Sequence, residues 1–195
     1  MYDSDIVITH LQEESHAKRD LANFHRHWES GYRLPKRLLS LYARELLLAG
    51  DQEDLLEAAG TVMEAAADNG RDGEEMAQAC CVVAKAARLV KDTVNFFKYT
   101  SKVIAEEACS EICCEMGHFY EEESDWEEAA IWYYNAVYET QPILALQSGG
   151  KESLEGLIRC YEALECPEQA DIYREELQRR EGAVPGDNKE GREIK

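Results

Sequence analysis

The sequence predicts an all-α fold, a right-handed α-solenoid of about four helical hairpins preceded by an N-terminal capping helix. The chain of 195 residues contains only 4 prolines and 12 glycines, so long stretches carry no helix breaker. Apolar residues recur at spacings of three and four, which is the period of one helix face. Small and aromatic residues alternate between residues 110 and 142, which is typical of two closely packed antiparallel helices.

The stretch 110–142 is the most regular helix-turn-helix in the sequence. In its first helix Cys113, Met116, Gly117 and Tyr120 recur at helical spacing and therefore share one face. The small residue on that face allows a second helix to approach closely, and the aromatic ring fills the remaining space. The pattern predicts a pair of helices with a tightly packed interface.

The second helix of this stretch is predicted to begin at Asp125, whose carboxylate can accept a hydrogen bond from a free N–H group. A glutamate three residues later completes a capping-box pattern. Ala129, Tyr133 and Ala136 then form one stripe, and the helix is expected to stop before Pro142.

This arrangement resembles the tetratricopeptide repeat (TPR), a helix-turn-helix unit of about 34 residues with small and aromatic residues at fixed offsets. Because one such unit cannot bury its apolar faces alone, the resemblance implies neighbouring units of the same kind. The residues that match the repeat signature are Met116, Gly117, Tyr120, Ala129, Tyr133 and Ala136, followed by Pro142.

The chain before the first hairpin divides into two segments. Residues 1–14 are predicted to form an N-terminal arm that contains a short β-like run. A capping helix then extends from Ser15 to about Ser30, with Leu21 and Phe24 on one side. This helix is expected to cover the open end of the array.

The predicted repeat domain covers residues 15–181. After the capping helix, apolar periodicity separated by glycine-containing turns defines four units. The last unit has Pro167 at a first helical position, which proline favours. The units span residues 36–69, 77–109, 110–143 and 151–181, and residues 182–195 are predicted to be a disordered tail.

The formal charge of −19 argues against several classes of partner. Binding to nucleic acid requires lysines and arginines that replace counterions on phosphates, and an anionic membrane surface attracts basic segments. The sequence shows neither a membrane span nor an export signal, so we expect a cytoplasmic protein with its 7 cysteines reduced. No nucleic-acid or membrane partner is predicted.

Two short runs, YAREL at 42–46 and IWYY at 131–134, give a narrower resemblance. They are similar to the region that follows the catalytic domain in bacterial family 2 glycosyltransferases with a TPR extension. The resemblance implies an accessory segment that presents an acceptor to that catalytic domain. The resemblance implies a catalytic domain that binds the sugar nucleotide and carries a metal-binding Asp-x-Asp motif after a strand. That domain is not recognisable here. Asp3-Ser4-Asp5 matches the letters of the motif but precedes the β-like run instead of following it.

No catalytic constellation, cofactor or metal site is predicted. The adjacent pairs Cys80-Cys81 and Cys113-Cys114 could suggest thiolate ligation, but no CxxC pair is present and cysteine packs well between helices. The five histidines lack a neighbouring activation motif, and the acidic run 121–128 lacks the alternation of a calcium loop. These patterns favour a role other than catalysis.

A ridge of basic side chains is the remaining functional signal. In stacked hairpins the first helix of each unit lines the concave surface. The same position in the first helix of all four units carries a basic side chain. We predict a scaffold module that holds a protein or peptide segment, of acidic character, in this groove. The predicted groove residues are Arg44, Lys85, Arg88, His118 and Arg159, with Tyr42 and Tyr120 supplying contact area.

Three alternatives to this groove hypothesis remain open. The basic side chains could pair with nearby glutamates, and the chain could be the accessory region of a family 2 glycosyltransferase. Self-association through the exposed end helix, giving a homo-oligomer, is the third.

Overall fold

The computed structural model confirms the all-α class. No β-strand forms within the part of the chain that the structure describes, apart from an isolated parallel bridge between Cys109 and Gln141. The predicted N-terminal arm and disordered tail lie almost wholly outside the described residues. The described residues are 14–30, 35–68, 73–145 and 147–182.

Helices make up most of the described residues, and most of the connections between them are short turns. None of the described helices is both long enough and apolar enough to cross a membrane. The helix that follows Asp125 continues without a break into a π-helical turn at Asn135–Glu139. The α-helices are α1 (Glu14–Glu29), α2 (Lys36–Ala49), α3 (Gln52–Asp68), α4 (Gly73–Leu89), α5 (Thr93–Glu106), α6 (Ser110–Glu122), α7 (Trp126–Tyr134), α8 (Lys151–Ala163) and α9 (Pro167–Gly182).

The chain divides into two compact units, residues 1–102 and 103–195. In the first unit α1 packs on α2 and α3, while α4 packs on both α2 and α3. The ring of Phe24 in α1 lies 5.2 Å from the ring of Tyr42 in α2. The predicted capping helix therefore covers the aromatic side of α2, although Ser15 lies inside α1 instead of capping it.

The second unit contains α6 to α9. Consecutive helices pack against each other in pairs, and α8 also packs on α6. Cysteine and alanine side chains, together with Tyr133, form a core in which the helices approach closely. The predicted repeat-signature residues lie in this unit, and all except the half-buried Tyr120 are buried.

Local hydrogen bonds explain where α7 begins and ends. The Asp125 carboxylate accepts from the Glu128 N–H at 3.2 Å, as predicted. Only half of the capping box forms, because the Glu128 carboxylate accepts instead from the indole N–H of Trp132. At the other end, the Thr140 hydroxyl donates to the Asn135 carbonyl at 3.0 Å and closes the π-helical turn.

A buried carboxylate fixes the loop that follows α7. Glu111, in the first turn of α6, accepts hydrogen bonds from the backbone N–H groups of Ile143, Leu144 and Ala145. The shortest contact to each N–H is 3.0, 2.6 and 2.8 Å, respectively. These three donors belong to irregular backbone, which has no helix partner of its own. Glu111 therefore connects the start of one helical pair to the loop that leads into the next.

All 7 cysteines are free thiols, and Cys166 alone is exposed. Burial raises the pKa of the Cys113 and Cys160 thiols to about 12. Because the thiolate is the reactive form, we expect a disulfide reagent at neutral pH to modify one thiol per native chain rapidly and all of them after unfolding. Replacing Cys166 with serine should abolish the rapid phase. Rapid modification of three or more thiols in the native protein would contradict this packing.

Candidate functional site

The site is built around Tyr133 of α7, whose ring is held between two glycines. A Cβ added at Gly117 of α6 would lie 2.6 Å from the ring, and one at Gly156 of α8 would lie 2.5 Å from it. Both distances are far below normal carbon–carbon contact. Because these two glycines have no side chain, α6 and α8 can both pack directly against the Tyr133 ring of α7. The Tyr133 hydroxyl then lies between α6 and α8.

The Tyr133 hydroxyl makes two short hydrogen bonds. It donates to Glu121 Oε2 at 2.5 Å, and its oxygen lies 2.7 Å from His118 Nδ1. Since the hydroxyl has one proton, the Nδ1–H group of His118 is the donor in the second bond. Burial and the hydrogen bond to Glu121 raise the pKa of the Tyr133 hydroxyl far above its usual range, so the group stays protonated.

Glu121 also binds Arg159 of α8 through both of its oxygens. Arg159 Nε lies 2.6 Å from Oε1 and its terminal nitrogen 2.8 Å from Oε2, which is the bidentate fork geometry. Burial pushes the pKa of the Glu121 carboxyl up, but the hydrogen bonds from Arg159 and Tyr133 outweigh it and the pKa is lowered. The bond to Glu121 raises the pKa of the Arg159 guanidinium. The pair is therefore ionised.

The second nitrogen of His118 points away from Tyr133 toward two other side chains. His118 Nε2 lies 3.1 Å from Glu152 Oε1 and 3.6 Å from Cys114 Sγ. When the ring carries both protons, Nε2–H donates to Glu152. When the ring is neutral with its proton on Nδ1, Nε2 presents a lone pair to this space. The Nε2 atom, the Cys114 sulfur and a Glu152 oxygen lie within 4.8 Å of one another.

Access to this cluster differs among its members. Cys114 is 2% exposed, His118 is 20% exposed and Glu152 is 41% exposed. A thiol this deeply buried is a poor nucleophile for a substrate that arrives from solvent. The arrangement is suited to holding a small ion or to fixing α6 against α8, with its open side at Glu152.

The predicted groove residues of the second unit have partners in the protein itself. Arg159 binds Glu121, and His118 binds Tyr133 and Glu152. Tyr120 is half-buried, and its ring packs edge-on against Phe119 at 5.4 Å. The alternative that the basic side chains pair with nearby glutamates therefore describes this unit.

In the first unit, two of the predicted groove residues are not available as a contact surface. Tyr42 is 2% exposed because Phe24 covers its ring, and burial raises the pKa of its hydroxyl to about 12. Lys85 donates to the Leu47 carbonyl at 2.6 Å. The expectation that Tyr42 supplies contact area is therefore wrong.

The other two predicted groove residues of the first unit, Arg88 and Arg44, differ in whether they have a partner. Arg88 is half-buried and has an interaction within the protein. Arg44 is exposed on α2, and no hydrogen bond or ion pair links it to the described residues. Arg44 is thus the member of the predicted set that best keeps its guanidinium available to a partner.

The same spacing recurs between the first helices of successive pairs. Lys85 of α4 reaches Leu47 of α2, and Arg159 of α8 reaches Glu121 of α6, both across 38 positions in the sequence. Ser40 and Gln78 are hydrogen-bonded at the same separation. We call these contacts the 38-residue ladder. Each unit forms its own set of these contacts.

Several site residues were not predicted from the sequence. Cys114 was expected only to pack in the core, and the predicted groove omitted Glu121, Glu152 and Gly156. The 38-residue spacing pairs Glu121 with Arg159 and Cys114 with Glu152, positions that no short motif connects. Gly156 lies outside this spacing and is identified only by its contact with Tyr133. No protein-family model, no curated protein and no solved structure matches this chain.

Proposed function

We propose that the chain is a non-catalytic interaction module of the TPR-like type, which binds an acidic protein segment on α2 of its first unit. The single observation that carries this proposal is the exposed stripe of Arg37, Leu41 and Arg44. These residues follow one another at four and three positions, so they lie along one side of the helix. Both arginines are exposed, and Leu41 is 40% exposed between them.

The stripe combines two kinds of contact that a bound segment needs. Neither Arg37 nor Arg44 has a hydrogen-bond or ion-pair partner among the described residues. An arginine fork matches a carboxylate geometrically, and the leucine between the forks offers apolar area. The complementary ligand is therefore a segment with acidic residues on both sides of an apolar one.

The position of the stripe is not optimal for the stability of α2. Lys36 and Arg37 place positive charge in the first turn, which has no acidic residue. The helix dipole favours negative side chains at that end, so this choice costs the helix a few tenths of a kcal/mol. Lys36 has an internal partner in the buried Glu75 of α4, 3.9 Å away. Arg37 has none among the described residues, so an external acidic partner explains its position better than folding does.

The overall charge sharpens the selectivity of such a surface. With a formal charge of −19, most of the protein repels an acidic segment. Binding is then favoured only where positive side chains stand free of internal partners, as they do on this stripe. Like-charge repulsion elsewhere disfavours misplaced binding.

The recurring 38-residue ladder supports a repeat architecture for this module. Within each unit, the first helix of one pair meets the first helix of the next through the same relative positions. This recurrence is typical of stacked hairpins, in which each pair repeats the contacts of its neighbour. It supports the α-solenoid that the repeat signature indicates.

A displayed peptide library provides the test. We expect the wild-type protein to enrich peptides with at least two acidic residues around an apolar one, and Arg37→Glu with Arg44→Glu to enrich none of them. The matched control is Lys98→Glu with Lys102→Glu, which makes the same charge change at exposed positions of α5. Equal enrichment by both double variants would contradict the proposal, and thermal unfolding would verify that each is folded.

A further inference from the structure

We propose that Cys114, His118 and Glu152 form a binding site for a divalent transition-metal ion of the zinc class. The three side chains supply one sulfur, one nitrogen and one oxygen from two helices of the second unit. Their donor atoms lie within 4.8 Å of one another. This site is separate from the exposed stripe on α2 and does not depend on the function proposed for it.

Two of the three donor–donor distances fit a tetrahedral ion. Zinc bonds of about 2.3 Å to sulfur and about 2.0 Å to nitrogen, at a tetrahedral angle, place those two atoms about 3.5 Å apart. The His118 Nε2 to Cys114 Sγ distance is 3.6 Å. The same construction gives about 3.3 Å between nitrogen and oxygen, and Nε2 lies 3.1 Å from Glu152 Oε1. Two of the three donor pairs are thus already at tetrahedral spacing, and the third pair, Cys114 Sγ and the Glu152 oxygen, lies within 4.8 Å.

The helix spacing explains why Cys114 and His118 converge. Residues four apart lie on one face of a helix, and both side chains of α6 therefore point toward α8. Glu152, in the first turn of α8, meets them there. Two ligands come from one rigid element and the third from its neighbour, so ion binding would also fasten α6 to α8.

A chain of hydrogen bonds holds the His118 ring in the orientation that ligation requires. Nδ1–H donates to Tyr133, Tyr133 donates to Glu121, and Arg159 clamps Glu121 from the other side. Metal-bound histidines characteristically donate their second N–H to such an oriented acceptor, which fixes the tautomer and raises the basicity of the ligating nitrogen. The chain leaves Nε2, the atom nearest Glu152 and Cys114, as the ligand.

Charge and donor type select the ion. A thiolate and a carboxylate with a neutral imidazole bring two negative charges, which balance a divalent cation. Sulfur and imidazole donors favour zinc or cobalt over magnesium or calcium, which prefer oxygen alone. The protein provides three ligands, and Glu152 is 41% exposed, so the fourth position faces solvent.

The positions of the first unit that are equivalent to these three ligands provide an internal comparison. Ser40 and Gln78 are 38 positions apart and hydrogen-bonded, and Cys114 and Glu152 stand at the equivalent positions of α6 and α8. Arg44 takes the place of His118. A hydroxyl, an amide and a guanidinium make no divalent-metal site. The ligand set is therefore specific to the second unit and is not a by-product of the repeat.

Cobalt titration of the reduced, chelator-treated protein tests the site. We expect one equivalent of Co²⁺ to produce a thiolate-to-cobalt charge-transfer band together with the strong visible bands of a tetrahedral centre, and Zn²⁺ to displace it. Cys114→Ser should abolish the charge-transfer band. His118→Gln and Glu152→Gln should each weaken binding at least tenfold, and Cys166→Ser, which alters the exposed thiol, should leave the titration unchanged.

Tyr133→Phe separates a positioning role from a purely structural one. Removal of the hydroxyl leaves His118 Nδ1 without its acceptor, so we expect cobalt affinity to fall by about tenfold while the charge-transfer band remains. Glu152 is 41% exposed, so Glu152→Gln should keep the fold, and a thermal unfolding curve that matches the wild type verifies that its loss of affinity is not due to unfolding. Absence of the charge-transfer band in the wild type, an equal titration by Cys114→Ser, or loss of the band in Cys166→Ser would each overturn the proposal.

Discussion

Alanine in place of Gly156 is expected to lower the free energy of unfolding by about 2–3 kcal/mol. The new Cβ would lie 2.5 Å from the Tyr133 ring, which cannot move aside because Gly117 of α6 closes its other face. Alanine favours a helix over glycine by up to about 1 kcal/mol, so the steric cost must exceed that gain. Gly117→Ala should behave in the same way. Urea denaturation of the purified variants measures both effects.

Gly60 supplies the matched control because it is exposed in the middle of α3 and has nothing near its missing Cβ. The same substitution there should raise the free energy of unfolding by about 0.5–1 kcal/mol. The two glycine positions thus predict opposite signs for one chemical change. A Gly156→Ala variant as stable as Gly60→Ala would show that Tyr133 is not held between the two helices.

Glutamine in place of Glu111 is the second large effect. The carboxylate accepts three backbone N–H groups, whereas the amide has one oxygen and turns an N–H₂ group toward donors. Buried donors that lose their acceptor cost about 1–3 kcal/mol each, and part of that cost is relieved as the loop moves. We therefore expect the free energy of unfolding to fall by about 2–4 kcal/mol.

Amide hydrogen exchange can locate this effect. The N–H groups of Ile143, Leu144 and Ala145 should exchange much faster in Glu111→Gln than in the wild type. Glu107→Gln, at an exposed position four residues earlier, is the control and should change stability by less than about 0.5 kcal/mol. Unchanged exchange at the three amides would mean that Glu111 does not hold the loop.

Local signals in the sequence were sufficient to predict the helices and several of their ends. The cap at Asp125 and the helix start at Pro167 depend on nearby backbone geometry, which short patterns encode. The start of α4 at Gly73, four residues before the predicted unit, shows the usual limit of such patterns. Local chemistry therefore accounts for the order of helices.

The candidate site could not be predicted in the same way, because its contacts join residues far apart in sequence. The position of Arg159 on a helix face indicates where its side chain points. It does not indicate that Glu121, 38 positions earlier in α6, will be its partner. Similarly, the amphipathic pattern of α2 does not reveal that Phe24 covers Tyr42. Which charges and rings remain available is decided by packing between helices.

The 38-residue ladder separates the backbone framework from the chemistry that it carries. In the first unit a neutral pair, Ser40 and Gln78, occupies two positions of the ladder. In the second unit the equivalent positions carry the ionisable side chains of Cys114 and Glu152. An array of this kind can evolve new ligand chemistry by point substitution at a fixed register, with its scaffold already in place.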